Sequence, residues 1–266
     1  MTAQIANPGA KLGQAIGESM EKALDGRLHV LTDNLGYHYL CSGSLINGER
    51  KKVINLYDKH GIVYQVDAVV VNHDMQPLIV FESKYIRYSK HNRDKGSWIC
   101  TTHNAVRGRY QSIRKFIAIL AGRWSAPSLA MMRSQDIDIY EVGFEAICGL
   151  LDDYNINFDW DERDRNSAIH AYMTYDELSE KEKDEIGEQM IKDIITPLGE
   201  TIEGVLTPSS AEEVEKVSVE VRSNLGTIRR REFDSVGDAI DFLSDIDASI
   251  FDLSDAVKLT DSPPQV

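Results

Sequence analysis

The runs GIVYQVDAVVV (residues 61–71) and PLIVFESKYI (residues 77–86) decide how this chain is read. Both are rich in valine, isoleucine and aromatic residues, the composition of strands. Asn72-His73-Asp74 between them turns the chain. The second run starts apolar and leaves polar, with Glu82-Ser83-Lys84 following Pro-Leu-Ile-Val-Phe. Strand side chains alternate faces, so Glu82 and Lys84 point the same way. If the two strands pair through their turn, Asp67 approaches that couple. Two carboxylates and a lysine then meet at the polar end of an apolar sheet. Such charges are costly unless they neutralise one another or bind a cation.

Carboxylates and a backbone carbonyl are hard oxygen ligands suited to Mg²⁺, which keeps waters and shares its coordination with phosphate. A lysine beside that ion can orient a water and assist its deprotonation, which completes the parts of phosphodiester hydrolysis. A simple salt bridge between Glu82 and Lys84 is the competing explanation. Glu49-Arg50-Lys51 repeats the spacing, with Asp33 upstream, but it follows the polar turn Asn47-Gly48, where no strand would aim the side chains.

Outward from this centre, Leu12, Ile16, Met20, Ala23 and Leu24 predict an amphipathic helix over residues 11–24, closed by Asp25-Gly26. Residues 27–32 and 37–46 read as strands, and 51–58 as strand or helix. Val106, Tyr110, Ile113, Phe116, Ile117 and Leu120 predict a helix over 104–123, and residues 136–150 read as one or two strands. Helix, strands, helix and strand in this order imply an α/β layer arrangement. Beyond residue 151 the chain becomes acidic. It reads as a charged helix over 175–195, a hairpin of 217–222 with 227–233, and a helix capped by Ser235. The division expected is a core over 1–150, an acidic α+β elaboration over 151–257 and a frayed tail over 258–266.

Asp67, fourteen intervening residues and Glu82-Ser83-Lys84 on consecutive strands resemble the PD-(D/E)xK nuclease superfamily, with Val66 where that motif carries proline. The resemblance covers roughly residues 11–150. It implies a restriction-endonuclease-like core of helix, three strands, helix and strand, with a central mixed sheet flanked by helices. It implies Asp67 and Glu82 as metal ligands, with the Ser83 carbonyl a possible third, and Lys84 positioning or deprotonating the attacking water. The superfamily often adds a glutamate from the first helix, here Glu21, nearer the apolar stripe, with Glu18 in reserve. The implied activity is that of a Mg²⁺-dependent DNA endonuclease of type II restriction kind, with Mn²⁺ as a substitute. Cutting both strands of a duplex favours a homodimer.

Charge distribution agrees with a polyanionic partner. The 266 residues carry a net charge of −14, yet residues 1–133 hold 18 Lys+Arg against 10 Asp+Glu. Residues 84–123 hold ten basic side chains and one acid, Asp94. Candidates for DNA contact are Arg87, Lys90, Arg93 and Lys95, and on the expected helix Arg107, Arg109, Gln111, Arg114 and Lys115. Trp98 and Trp124 read as packing residues. The acids at 152, 153, 159, 161, 162 and 164 read as solvated surface, and the acidic half as a surface for dimerisation or a protein partner. Cys41, Cys100 and Cys148 read as reduced thiols. Residues 1–9 show no secretion signal, and no run is long and apolar enough for a membrane helix, so the cytoplasm is expected. Two other readings compete: a nuclease subunit of a defence or repair assembly whose motor is another chain, and a non-catalytic nucleic-acid-binding or regulatory protein on the same scaffold.

Overall fold

In a computed structural model, which describes residues 6–46, 48–88, 92–161, 163–209, 211 and 213–252, the chain opens with helix α1 (Pro8–Asn34). Leu12, Ile16, Met20, Ala23, Leu24 and Leu28 bury one stripe of it. The Asn7 side chain accepts from the Ala10 amide at 3.3 Å, and Pro8 fits a first turn that needs no N–H. The expected stop at Asp25-Gly26 and the strand over 27–32 are corrected. Leu28 and Leu31 continue the stripe, and their packing outweighs the roughly 1 kcal/mol cost of an interior glycine. The helix ends at Asn34, and just beyond it Gly36, with a φ of +82° that suits glycine, turns the chain away.

Strand β1 (His38–Cys41) is followed by two small hairpins, β2 (Leu45–Ile46) with β3 (Glu49–Arg50), and β4 (Ile54–Tyr57) with β5 (Val63–Val66). The strand expected over 61–71 bends at Asp67, and β6 (Ala68–Val71) leaves β5 for a different sheet. Strand β7 (Pro77–Ile86) follows, antiparallel to β6.

The helix expected over 104–123 is the largest correction. Helix α2 (Asn92–Arg107) lies earlier, and Lys115–Gly122 is strand β8. Phe116 to Gly122 is buried without alternation because β8 lies inside a sheet covered on both faces. A continuous apolar run of that kind cannot be told from a buried helix by periodicity. Helix α3 (Ala126–Arg133), strand β9 (Ile137–Gly143) and helix α4 (Phe144–Asp152) follow. The central sheet has the order β1-β6-β7-β8-β9, antiparallel from β1 to β7 and parallel from β7 to β9. The protein is therefore α/β with a central mixed sheet flanked by helices.

Within the range of the charged helix expected over 175–195 lies α6 (Glu180–Ile191); α5 (Arg165–Asp176) ends just inside it and α7 (Ile195–Leu206) starts at its last residue. Ser179 and Glu182 form a reciprocal capping box that starts α6. Helices α4 to α7 share one hydrophobic cluster with α1 and one face of the sheet. A second cluster, under α2, α3 and β4, covers the other face. This sharing explains why the compact units divide after Pro208 rather than after residue 150. The unit from Ser209 onward contains the hairpin β10 (Val217–Arg222) and β11 (Ile228–Phe233), then helix α8 (Val236–Ser244) capped by Ser235, and a short 3₁₀ turn (Ala248–Phe251). The tail expected over 258–266 lies outside the described residues. No described helix is long and apolar enough to cross a membrane.

Candidate active site

The bend at Asp67 aims its carboxylate across β7. Ala68 pairs with Phe81, which brings Asp67 to the level where β7 turns polar. Asp67 Oδ2 accepts from the Ser83 backbone N–H at 2.7 Å and from Lys84 Nζ at 2.6 Å. Lys84 Nζ also lies 2.8 Å from Glu82 Oε2. One ammonium thus bridges two carboxylates. The Glu82 side chain is only 2% exposed, against 25% for Lys84 and 40% for Asp67. Glu82 Oε1 is buried and has no hydrogen-bond partner.

This geometry shifts the titrations. Burial pushes Glu82 up to about 7, with Lys84 opposing and Asp67 reinforcing the shift. Burial pulls on Lys84 in the downward direction, but Glu82 and Asp67 outweigh it and its pKa is raised. Glu21 of α1 is pushed up to about 7, first by the walls around its carboxyl and then by Asp67, against Lys84. Glu21 is exposed as a residue, so water screens part of this effect, and the upward direction is what enters the argument. One turn later, burial raises Asp25 although the Tyr39 hydroxyl donates to it at 2.8 Å. Glu21, Asp25, Tyr39, Lys52, Asp67 and Ser83 line one cleft of about 240 Å³. Glu18 is exposed and accepts from Gln14 at 2.8 Å, so Glu21 is the glutamate of α1 placed beside Asp67.

No three acidic, histidine or cysteine side chains converge as a metal cage among the described residues. The cationic position between Asp67 and Glu82 is taken by Lys84. The donor set nevertheless fits a hard divalent ion. Glu82 offers a buried oxygen with no partner, and Asp67 keeps its carboxylate open to solvent.

The basic residues divide into separate groups. Arg93 and Lys95 are exposed on the first turn of α2, near the polar end of β7. Lys90 and His91 lie outside the described residues. Arg87 is buried and stacked over Trp160, with its centre 3.7 Å from the ring centroid, so it is not a surface contact for a duplex backbone. Arg107, Arg109, Gln111, Arg114 and Lys115 do not form one helical face. They lie at the other end of the sheet, because Lys115 pairs with Ile79 whereas Lys84 pairs with Leu120. That is five residues of strand, about 17 Å. Arg109 donates to the Asp58 carbonyl at 3.2 Å, Arg114 to the Val205 carbonyl at 3.0 Å, and Lys115 lies 3.0 Å from Asp138. Trp98 differs from its packing expectation: it is 53% exposed and leans on Tyr64. Trp124 packs against the second cluster and donates to the Ala121 carbonyl. Among the acids expected as surface, Asp164 caps α5 and Asp159 lies 3.0 Å from Arg123; Glu162 is outside the described residues. Cys41, Cys100 and Cys148 are all free thiols.

Sequence reading missed Asp25 and Tyr39. Asp25 follows Glu21 by four residues and would have been found by extending the helix through Gly26. Tyr39 carried no signal, because nothing local announces that its hydroxyl meets α1. No family model matches the chain, and no curated protein does. The crystal structure of a protein of unknown function, AF1548, aligns with 66% of this chain and 99% of its own, at 9% identity and a TM-score of 0.32.

Proposed function

We propose that the protein is a Mg²⁺-dependent DNA endonuclease of restriction type, with a PD-(D/E)xK-like core. The observation that carries this reading is the buried Glu82 beside Asp67 and Lys84, with one carboxylate oxygen left without a partner. A purely structural ion pair has no use for that oxygen, since an unsatisfied buried acceptor costs about 1–3 kcal/mol. The order α1, β1, β6, β7, α2 and β8, with the acids at the polar end of β7, supports the same reading.

Asp67, Glu82 and the Ser83 carbonyl are the residues that would hold the ion. When bound, Mg²⁺ supplies a Lewis acid that polarises a phosphate and lowers the pKa of a water. If an ion were held there, Lys84 would no longer bridge Glu82 and Asp67, the two carboxylates whose contact raises its pKa against burial. Its role would be to position or deprotonate the attacking water and to stabilise charge developing on the phosphate. Glu21, whose pKa is shifted upward by its surroundings and by Asp67, is suited to accepting a proton from the attacking water. Arg93 and Lys95 are placed to hold the DNA backbone near these groups. Double-strand cleavage requires two such sites, so the assembly proposed is a homodimer.

The test is incubation of wild type and Lys84→Ala with plasmid and phage DNA in Mg²⁺, Mn²⁺ or EDTA. Cleavage that needs both metal and Lys84 is the expected result, and discrete fragments would identify a restriction-type enzyme. Cleavage by Lys84→Ala at the wild-type rate would overturn the mechanism. An inert wild-type protein in every metal would overturn the activity for this chain alone.

A further inference from the structure

Glu21 also lines a second, larger cavity of about 800 Å³, within the range of ligand sites. Three helices begin at its wall. Pro8 and Gly9 open α1, Lys95 is in the first turn of α2, and Arg165 opens α5. Helix amino ends carry positive potential and favour anions.

The polar end of β7 supplies the second observation. Arg87 is 7% exposed, with its guanidinium over the rings of Trp160 at 3.7 Å and Phe158 at 4.7 Å. Its Nη2 donates to the Trp160 carbonyl at 3.0 Å, but Nε and Nη1 are buried with no acceptor. The Tyr85 hydroxyl, on the same wall, is also buried without a partner. Among the described residues no carboxylate pairs with Arg87. Unsatisfied donors of this kind are expensive, and a charged one most of all. Gly13 of α1 lets the Tyr85 ring seat, since a Cβ there would lie 2.8 Å from it. Donors without acceptors, aromatic faces and fixed positive charge together match a nucleotide, with phosphate for the donors and a base for the rings.

The acids of the cavity, Glu18 and Glu21, lie toward its other end. From Gly9 to Glu21 is twelve residues of α1, about 18 Å. The cavity thus runs from a basic, aromatic end to the candidate active site. An internal phosphate of a duplex stays on the surface, so what enters must be unpaired.

We propose that this cavity holds the unpaired, phosphorylated end of a nucleic-acid strand, its phosphate on Arg87, Lys95 and Arg165 and a base against Trp160. This rests on the nuclease reading and adds to it a site for the phosphorylated end that cutting creates, so closed plasmid DNA remains a substrate for the first cut. For the phosphate to reach Nε and Nη1, the Trp160 ring must shift off the guanidinium, which makes its fluorescence the readout.

The experiment is a fluorescence titration in EDTA, where nothing is cleaved, on protein with Trp98 and Trp124 replaced by Phe. The probes are a dT trinucleotide phosphorylated at both ends, the same trinucleotide without terminal phosphates, and inorganic phosphate. The expected result is at least tenfold tighter binding of the phosphorylated trinucleotide. Lys95→Glu, on an exposed helix turn, is expected to weaken it at least tenfold. Arg87→Met should erase the preference, with circular dichroism checking that it folds. Equal binding of the two trinucleotides, an unaffected Lys95→Glu, or inorganic phosphate binding as tightly as the phosphorylated trinucleotide would each overturn the proposal. The two readings fail separately. Selective binding without any cleavage of DNA sinks the nuclease but keeps the pocket, whereas metal- and Lys84-dependent cleavage without selective binding sinks only the pocket.

Discussion

Glu21 and Lys22 are consecutive on α1 and face opposite environments. Lys22 and Arg27 reach α6, where they meet Asp184 at 2.5 Å and Glu188 at 2.8 Å with every side chain well exposed. Farther along that helix Lys181 lies 3.3 Å from Glu185, and Lys183 lies 3.1 Å from Glu180. On the other side Glu21, Asp25, Asp67 and Glu82 are met by two lysines, Lys84 between Asp67 and Glu82 and Lys52 on the cleft wall, and burial raises Glu21, Asp25 and Glu82. Charges along α6 are neutralised in pairs and screened by water. The acids in the cleft outnumber its lysines, and the burial that raises three of them costs the folded chain stability. An arrangement that costs stability on one side of α1 and is avoided on the other is what the proposed active site would require.

The widest separation between the regions should appear in activity. On the nuclease reading, Lys84→Ala and Asp67→Asn should each lower plasmid cleavage by about 10³-fold, the scale of removing a group that stabilises charge in a transition state. Asp184→Asn and Glu188→Gln should leave the initial rate unchanged. Initial rates under one set of conditions check all four, and equal losses in both sets would remove the distinction.

The cleft was more legible in the sequence than the scaffold that presents it. Asp67 and Glu82 stand out because each interrupts a run of apolar residues, where a charge requires a reason. Lys84 follows from strand alternation. The elements around them misled where tertiary burial overrode local pattern. Phe116 to Leu120 looks helical because β8 is covered on both faces. Asp25-Gly26 looks like a stop because the buried Leu28 beyond it pays nothing into a local reading. Arg87, expected on the surface, is buried by Trp160, which lies 73 residues away in the chain. No spacing rule announces a contact of that range.

The seam between α1 and α6 should depend on close backbone approach rather than on its charges. A Cβ added to Gly187 would lie 2.2 Å from the Ser19 carbonyl oxygen, so the helices touch backbone to backbone there. Ile186, Met190 and Ile191 bury their side chains in the same cluster as Met20 and Ala23. Gly187→Ala should force the helices apart and destabilise the protein by about 1–3 kcal/mol, the usual scale of overpacking. Urea denaturation measures it, and an unchanged midpoint would show that the seam yields easily.

In the cleft the corresponding effect has the opposite sign and depends on pH. Burial raises Glu82 from 4.5 to about 7. The folded state therefore binds a proton more tightly than the unfolded chain does. Its contribution to stability is full below pH 4.5 and is lost as pH rises through 7. Glu82→Gln, which cannot ionise, should be the more stable protein at pH 8, by about 1 kcal/mol, and should not gain at pH 4. Mg²⁺ should raise the melting temperature of wild type at pH 8 and raise that of Glu82→Gln less, because the variant loses one of the two carboxylates proposed to hold the ion. Urea midpoints across pH 4–8 check the first statement. A variant less stable than wild type at pH 8 would mean that Glu82 is held by its bond to Lys84 after all.

The smallest effect belongs to the exposed pairs, and it is the control that gives the others meaning. Lys22 and Asp184 have side chains 63% and 47% exposed, so each loses little hydration in meeting the other, and ordering two flexible chains offsets most of their attraction. Lys22→Ala should leave the urea midpoint within experimental scatter at 0.15 M salt, and any residual difference should vanish at 1 M, where screening acts within about 3 Å. A salt-resistant loss would mean that the pair is shielded from water as the cleft is. The contrast between the two sides of α1 would then be one of degree, and the excess of acids around Lys84 would no longer single out that side as the place where chemistry is done.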